Sequence, residues 1–117
     1  MISFSYQIFG YPIEVWAQKL DDGWDVGLFG GSHTHVGAVT FAEPDGTEQT
    51  MMRLAHKEAQ VTRQWALHLA RLTGKSVCVR SGIHYDDLSQ TRLKRVIAAC
   101  DEMLAGLSEA IQREEKF

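Results

Sequence analysis

The sequence predicts an α+β, two-layer fold: a mainly antiparallel sheet of about five strands with two helices packed on one face. Three observations carry that expectation. Short segments alternating apolar and polar residues fill the first half of the chain. Two longer stretches with apolar residues at three- and four-residue steps dominate the second half. The strands are also grouped before the helices rather than interleaved with them, which favours helices collected on one sheet face. The chain has 117 residues, enough for one core and too few for two, so 1–117 is expected to be a single domain.

The first strand is read from Ile2, Phe4, Tyr6 and Ile8, which alternate with Ser3, Ser5 and Gln7. Gly10 to Pro12 is expected to turn, after which Ile13, Val15 and Ala17 resume the alternation. Asp21-Asp22-Gly23 is a hairpin signal, and Trp24, Val26 and Leu28 follow as a third strand that Gly30-Gly31 is expected to break. Val36 to Phe41 is the fourth. Pro44-Asp45-Gly46 turns again, and Thr47 to Arg53 reads as a short extended lead into a helix.

That helix is expected over His56 to Leu72, with Leu54, Val61, Trp65, Leu69 and Leu72 on one face and Gly74 as its C′ residue. Ser76 to Arg80 is a short β-rich run. The longest helix then starts after Asp87, which with Gln90 fits a capping box. Its stripe is Leu93, Val96, Ile97, Cys100, Leu104, Leu107 and Ile111, and the charged tail from Gln112 to Phe117 is expected to fray.

Composition narrows the function classes. An apolar fraction of 44% and a charged fraction of 23% are ordinary for a globular protein, and a formal charge of −3 gives no general attraction to nucleic acid. The first residues lack a basic segment followed by an apolar one, and no apolar run is long enough to span a bilayer, so a cytoplasmic protein without membrane contact is expected. Cys78 and Cys100 lie in apolar patterned stretches and read as reduced thiols.

Four of the five histidines fall in three polar, break-rich segments: Gly30 to Val39, Ala55 to Glu58, and Ser81 to Asp87. His33 and His35 are spaced i, i+2, which in an extended segment places both on one face and is compatible with a shared metal. His35 is the better candidate because Gly37 beside it would admit a bulky ligand; His33 reads as an exposed loop residue. His56 to Glu58 opens a helix, where free N–H groups favour anions and Lys57 adds a point charge for a phosphate or carboxylate. His56 reads equally as a cap or a ligand contact, and Glu58 suits the helix dipole. His84 is followed by Asp86 and Asp87, the pattern of a histidine oriented by a carboxylate. His68 flanks the Trp65 and Leu72 stripe and is assigned to packing. No nucleophile elbow, Walker loop or dinucleotide fingerprint is present.

At these three segments the chain resembles a known family. Gly-Gly-x-x-x-His-Val-Gly-Ala-Val at Gly30 to Val39, His-Lys-Glu at His56 to Glu58 and Gly-Ile-His-x-Asp at Gly82 to Asp86 are similar to the small D-type subunits of hydroxyarylic acid (gallate-type) decarboxylase systems, which are prenylated-flavin chaperone-like proteins. The resemblance spans about Trp24 to Leu104. It implies a noncatalytic accessory protein that binds prenylated FMN, or helps deliver it, for a separate decarboxylase large subunit. Carried onto this chain, the implied cofactor residues are Gly31, His35, Gly37, His56, Lys57, Glu58 and His84, with Trp24 and Tyr85 as stacking candidates, although Trp24 is read first as a core residue. Two other readings stand beside it: a small metal-dependent enzyme with His35, His56 and His84 as ligands to a divalent metal, and a purely structural interaction subunit. A homodimer is expected, since a single sheet covered on one side leaves a face or an edge needing cover.

Overall fold

Period-two alternation builds the first three strands into an antiparallel meander. In the computed structural model, which describes residues 1–53 and 58–116, they are β1 (Ile2–Ile8), β2 (Tyr11–Lys19) and β3 (Gly23–Gly31). Phe4 pairs with Val15 and Val15 with Leu28, so the apolar residues of all three strands share one face. The first connection is tighter than expected: β2 already begins at Tyr11, and Phe9 and Gly10 make the turn with φ of 52° and 79°. Strand β3 also runs through Gly30 and Gly31 rather than stopping there, because Gly31 finds a ladder partner in His84.

β4 (Ala38–Ala42) starts after Val36, which is exposed, and the ambiguous stretch becomes β5 (Glu48–Met52). β6 (Ser76–His84) continues past the expected Arg80 to His84. Among the described residues the six strands are ordered β1-β2-β3-β6-β4-β5, and β3–β6 is the one parallel pair among antiparallel neighbours. The expected mainly antiparallel, two-layer α+β architecture is therefore present, with a sixth strand at the edge.

α1 (Glu58–Thr73) packs on β6 and β4, and α2 (Gln90–Glu115) packs on β1 and α1. Of the expected α1 face, Trp65 and Leu69 are fully buried, Val61 and Leu72 are half-buried, and Leu54 lies outside the described residues. Ala59, Thr62, Ala66 and Ala70 complete the buried stripe. These small residues let the helix lie close to the sheet, where the Thr40 hydroxyl donates to Thr62 Oγ1 at 2.9 Å. Gly74 ends the helix with φ of 69° and donates its N–H to Ala70 O.

Three expectations for α2 need correction. Ser89, not Asp87, is the N-cap: its Oγ accepts the Arg92 N–H at 3.2 Å, while Asp87 sits two residues earlier at φ 54°. The stripe runs through Val96, Ala99, Cys100, Met103, Leu104, Leu107 and Ile111, and Ile97 is turned out to solvent. The tail is tied down rather than frayed, since the helix continues to Glu115, which accepts from Trp24 Nε1 at 2.6 Å and from Lys75 Nζ at 2.8 Å. No helix among the described residues is long and apolar enough to cross a membrane.

Both helices cover the face formed by Ile13, Val15, Val26, Leu28, Val77, Val79 and Thr40. The alternate residues form the opposite, uncovered face. They include Glu14 and Trp16 from β2, Asp25 and Phe29 from β3, Cys78, Arg80 and His84 from β6, and Phe41 from β4.

Candidate functional site

The parallel pairing of β3 and β6 decides where the polar segments meet. Parallel neighbours end on the same side, so the loop after β3 and the loop after β6 leave the sheet together, at Gly31 and His84. The first loop then folds back over the uncovered face. Gly37 donates its N–H to Ser81 O at 2.8 Å, and a Cβ on Gly82 would lie 1.6 Å from His35 O. At Gly31 (φ 92°) a Cβ would lie 1.9 Å from His84 O. The room that these glycines leave is thus filled by the chain's own backbone, which brings the two histidine loops into contact.

His33, His35 and His84 consequently share one corner. The His84 ring centroid is 5.6 Å from that of His33 and 6.4 Å from that of His35. His84 Nε2 donates to Asp86 Oδ1 at 3.0 Å, and His33 Nε2 lies 3.6 Å from Asp86 Oδ2. The expected carboxylate partner of His84 is present. His33, read from the sequence as an exposed loop residue, is exposed and belongs to the same cluster. The His84 hydrogen bond is the largest influence on Asp86 and holds its carboxyl below the usual carboxylate range, against the opposing effect of desolvation. Ser32 stitches the two loops together: its N–H donates to His84 O, and its Oγ accepts the Asp86 N–H at 3.3 Å.

Beside this corner a groove of about 450 Å³ opens on the uncovered face, lined by Glu14, Trp16, Phe29, Gly31, His35 and Val36 among others. Trp16 lies flat against Gly27, whose absent Cβ would come within 2.2 Å of the indole, and the Arg80 guanidinium is 5.0 Å from the ring centroid. Asp25 anchors Arg80 at 3.0 Å. The result is an aromatic wall flanked by a fixed cation, with His35 among the lining residues, suited to a flat, partly polar ligand.

The chain matches the prenylated flavin chaperone LpdD-like domain over residues 7–112. It belongs to that family. No curated protein matches it. The match includes all three polar segments, and it extends on both sides of the Trp24 to Leu104 span of the sequence resemblance.

For a prenylated flavin chaperone, the placement of the expected residues is informative. Gly31, His35, Gly37 and His84 come together around the joined loops. His56 and Lys57 lie outside the described residues, as does the side chain of Glu58; Arg53, the last described residue before them, donates its N–H to Gly37 O at 3.0 Å. Among the described residues no group of three His, Cys, Asp or Glu is placed to hold a metal, and one member of the expected set, His56, is not described. Trp24 and Tyr85 are both buried. Trp24 packs in the core, and Tyr85 packs edge-on against Phe9 and Tyr11 and donates to Tyr11 O, with burial pushing its hydroxyl up to about 12. The aromatics that line the groove are instead Trp16 and Phe29, both half-buried. Their signal was in the sequence: each is an aromatic in the polar phase of an alternating strand.

Proposed function

We propose that the protein binds prenylated FMN in the groove beside His35 and His84 and passes it to a separate decarboxylase of the hydroxyarylic acid type. The observation that carries this reading is the meeting of the first and third family segments at the ends of β3 and β6, next to an aromatic-walled groove. The groove's volume falls within the range of small-molecule sites. Trp16 and Phe29 supply faces for an isoalloxazine ring, and Gly31, His35, Gly37 and His84 supply the surrounding backbone and imidazoles. His56, Lys57 and Glu58 complete the set, with Lys57 as the counter-charge for the phosphate.

The protein carries out no bond cleavage in this account. The flavin would supply the decarboxylation chemistry once inside the partner enzyme. This chain's residues bind and orient it, and a groove on an uncovered sheet face leaves one side of the ligand open for transfer. A homodimer is part of the proposal, because the same face carries the exposed Phe41 and lies next to Met51 at the β5 edge. Light scattering on a sizing column tests that part, and a monomer at micromolar concentration contradicts it.

The functional test is anaerobic titration with reduced prenylated FMN, followed by mixing with a cofactor-free decarboxylase. Saturable binding and gain of activity by the decarboxylase are expected. A folded protein that binds neither prenylated FMN nor plain FMN overturns the proposal.

A further inference from the structure

The cluster of His33, His84 and Asp86 has a hydrogen-bond polarity that constrains how a flavin can sit. A carboxylate only accepts hydrogen bonds, and the hydrogen bond from His84 holds the Asp86 carboxyl below the usual carboxylate range. His84 Nε2, 3.0 Å from Asp86 Oδ1, therefore carries the hydrogen. Nδ1 is the ring's remaining polar atom, and in the neutral ring it is an acceptor. The backbone fixes this arrangement from the other side, since Ser32 N–H donates to His84 O at 2.8 Å and Ser32 Oγ takes the Asp86 N–H.

An acceptor nitrogen backed by a carboxylate is a poor seat for a phosphate. A phosphate oxygen at Nδ1 would face a nitrogen lone pair and, across the ring, the negative charge of Asp86. The same pair suits a ligand group that donates a hydrogen, and the flavin ring and ribityl chain offer N–H and O–H groups. We propose that His84, positioned by Asp86, recognises a hydrogen-bond donor on the part of the flavin that carries no phosphate, and that the phosphate binds away from the His33–His84–Asp86 cluster. This rests on the flavin-binding function proposed above and adds an orientation to it. Asp86 is a positioning residue, acting through His84, and His33 shares its second oxygen.

The test compares FMN with riboflavin, which differ only by the phosphate, on wild-type protein, Asp86→Ala and Asp86→Asn. Loss of one oriented hydrogen bond, roughly 1 kcal/mol, corresponds to about fivefold in Kd. Asp86→Ala is expected to weaken FMN and riboflavin by that same factor, leaving their ratio unchanged. Asp86→Asn, whose amide oxygen still accepts, is expected to lose less. ¹⁵N chemical shifts of the histidine rings provide a readout that a merely structural role would not move: His84 should carry its hydrogen on Nε2 in the wild type and become a tautomer mixture in Asp86→Ala. A change confined to FMN, no change with either ligand, or a wild-type His84 with its hydrogen on Nδ1 overturns the inference. Wild-type protein that is folded and binds neither flavin overturns the parent function and this orientation with it, an outcome distinct from a shifted ratio.

Discussion

Replacing Gly82 with alanine is expected to separate the two histidine loops and to cost stability in a measurable way. The added Cβ would sit 1.6 Å from His35 O and 2.5 Å from His35 C, both backbone atoms that cannot swing aside. A tolerable carbon–oxygen contact is roughly 3.3 Å, so the loop must retreat by about 1.7 Å. That movement breaks the Gly37 N–H to Ser81 O bond (2.8 Å) and strains the Arg53 N–H to Gly37 O bond (3.0 Å). Overpacking costs about 1–3 kcal/mol and a lost backbone hydrogen bond about 1 kcal/mol, so the total is roughly 2–4 kcal/mol. For a domain of this size, that is a fall in Tm of about 10 °C. Circular dichroism melts of wild type and variant measure it, and flavin titration should show weakened binding. A variant melting within about 2 °C of wild type, with binding unchanged, would refute the packing argument for the site.

Three further outcomes are expected. Trp16→Ala should weaken plain FMN by about fivefold, the loss of one aromatic face at ~1 kcal/mol, without altering the melt by more than a few degrees; fluorescence titration checks it, and unchanged affinity counts against the groove. Glu115→Gln should destabilise the protein by about 1–2 kcal/mol in urea, because the carboxylate bonds Lys75 and Trp24 and pins the end of α2. The Lys75 hydrogen bond first, then that from Trp24, holds the Glu115 carboxyl below its ordinary value. Its unfolded value is about 4.3, so the stabilisation is complete above roughly pH 5 and disappears as the pH falls through the folded value; the two proteins should converge in acid. Cys100 is pushed up to about 12, chiefly by burial, whereas Cys78 on the uncovered face is raised less, again mainly by burial. A thiol reagent near neutral pH should therefore modify Cys78 first and Cys100 only on unfolding, which mass spectrometry of partly labelled protein reads directly.

The sequence was legible where a local pattern reports directly on burial. Alternation placed β1, β2 and the core of β3, and the step pattern placed both helices, because those periods are consequences of which face meets the core. What could not be read locally was set by partners distant in the chain. Gly30-Gly31 has the composition of a strand end, yet β6 supplies a parallel ladder that carries β3 through it. Gln112 to Glu115 has the composition of a fraying tail, but Lys75 and Trp24 hold it. Asp87 had the chemistry of a cap, but its backbone is left-handed and Ser89 takes the role. For the site, His35 and His84 were identifiable from their surroundings in the sequence. Asp86 was legible as a partner of His84 two residues away, but the meeting of His84 with His35 and His33 depends on the β3–β6 pairing, which no short window contains. Trp16 and Phe29 were visible as aromatics out of phase with their strands, but the sequence does not say which face of a sheet stays uncovered.

Amide chemical-shift mapping during titration with prenylated FMN, prepared reduced and kept anaerobic, tests the central claim most directly. The account predicts saturable shifts concentrated at Trp16, Phe29, Gly31 to Gly37 and Gly82 to Asp86. Shifts concentrated instead on α2, or none at all at saturating cofactor, would contradict it.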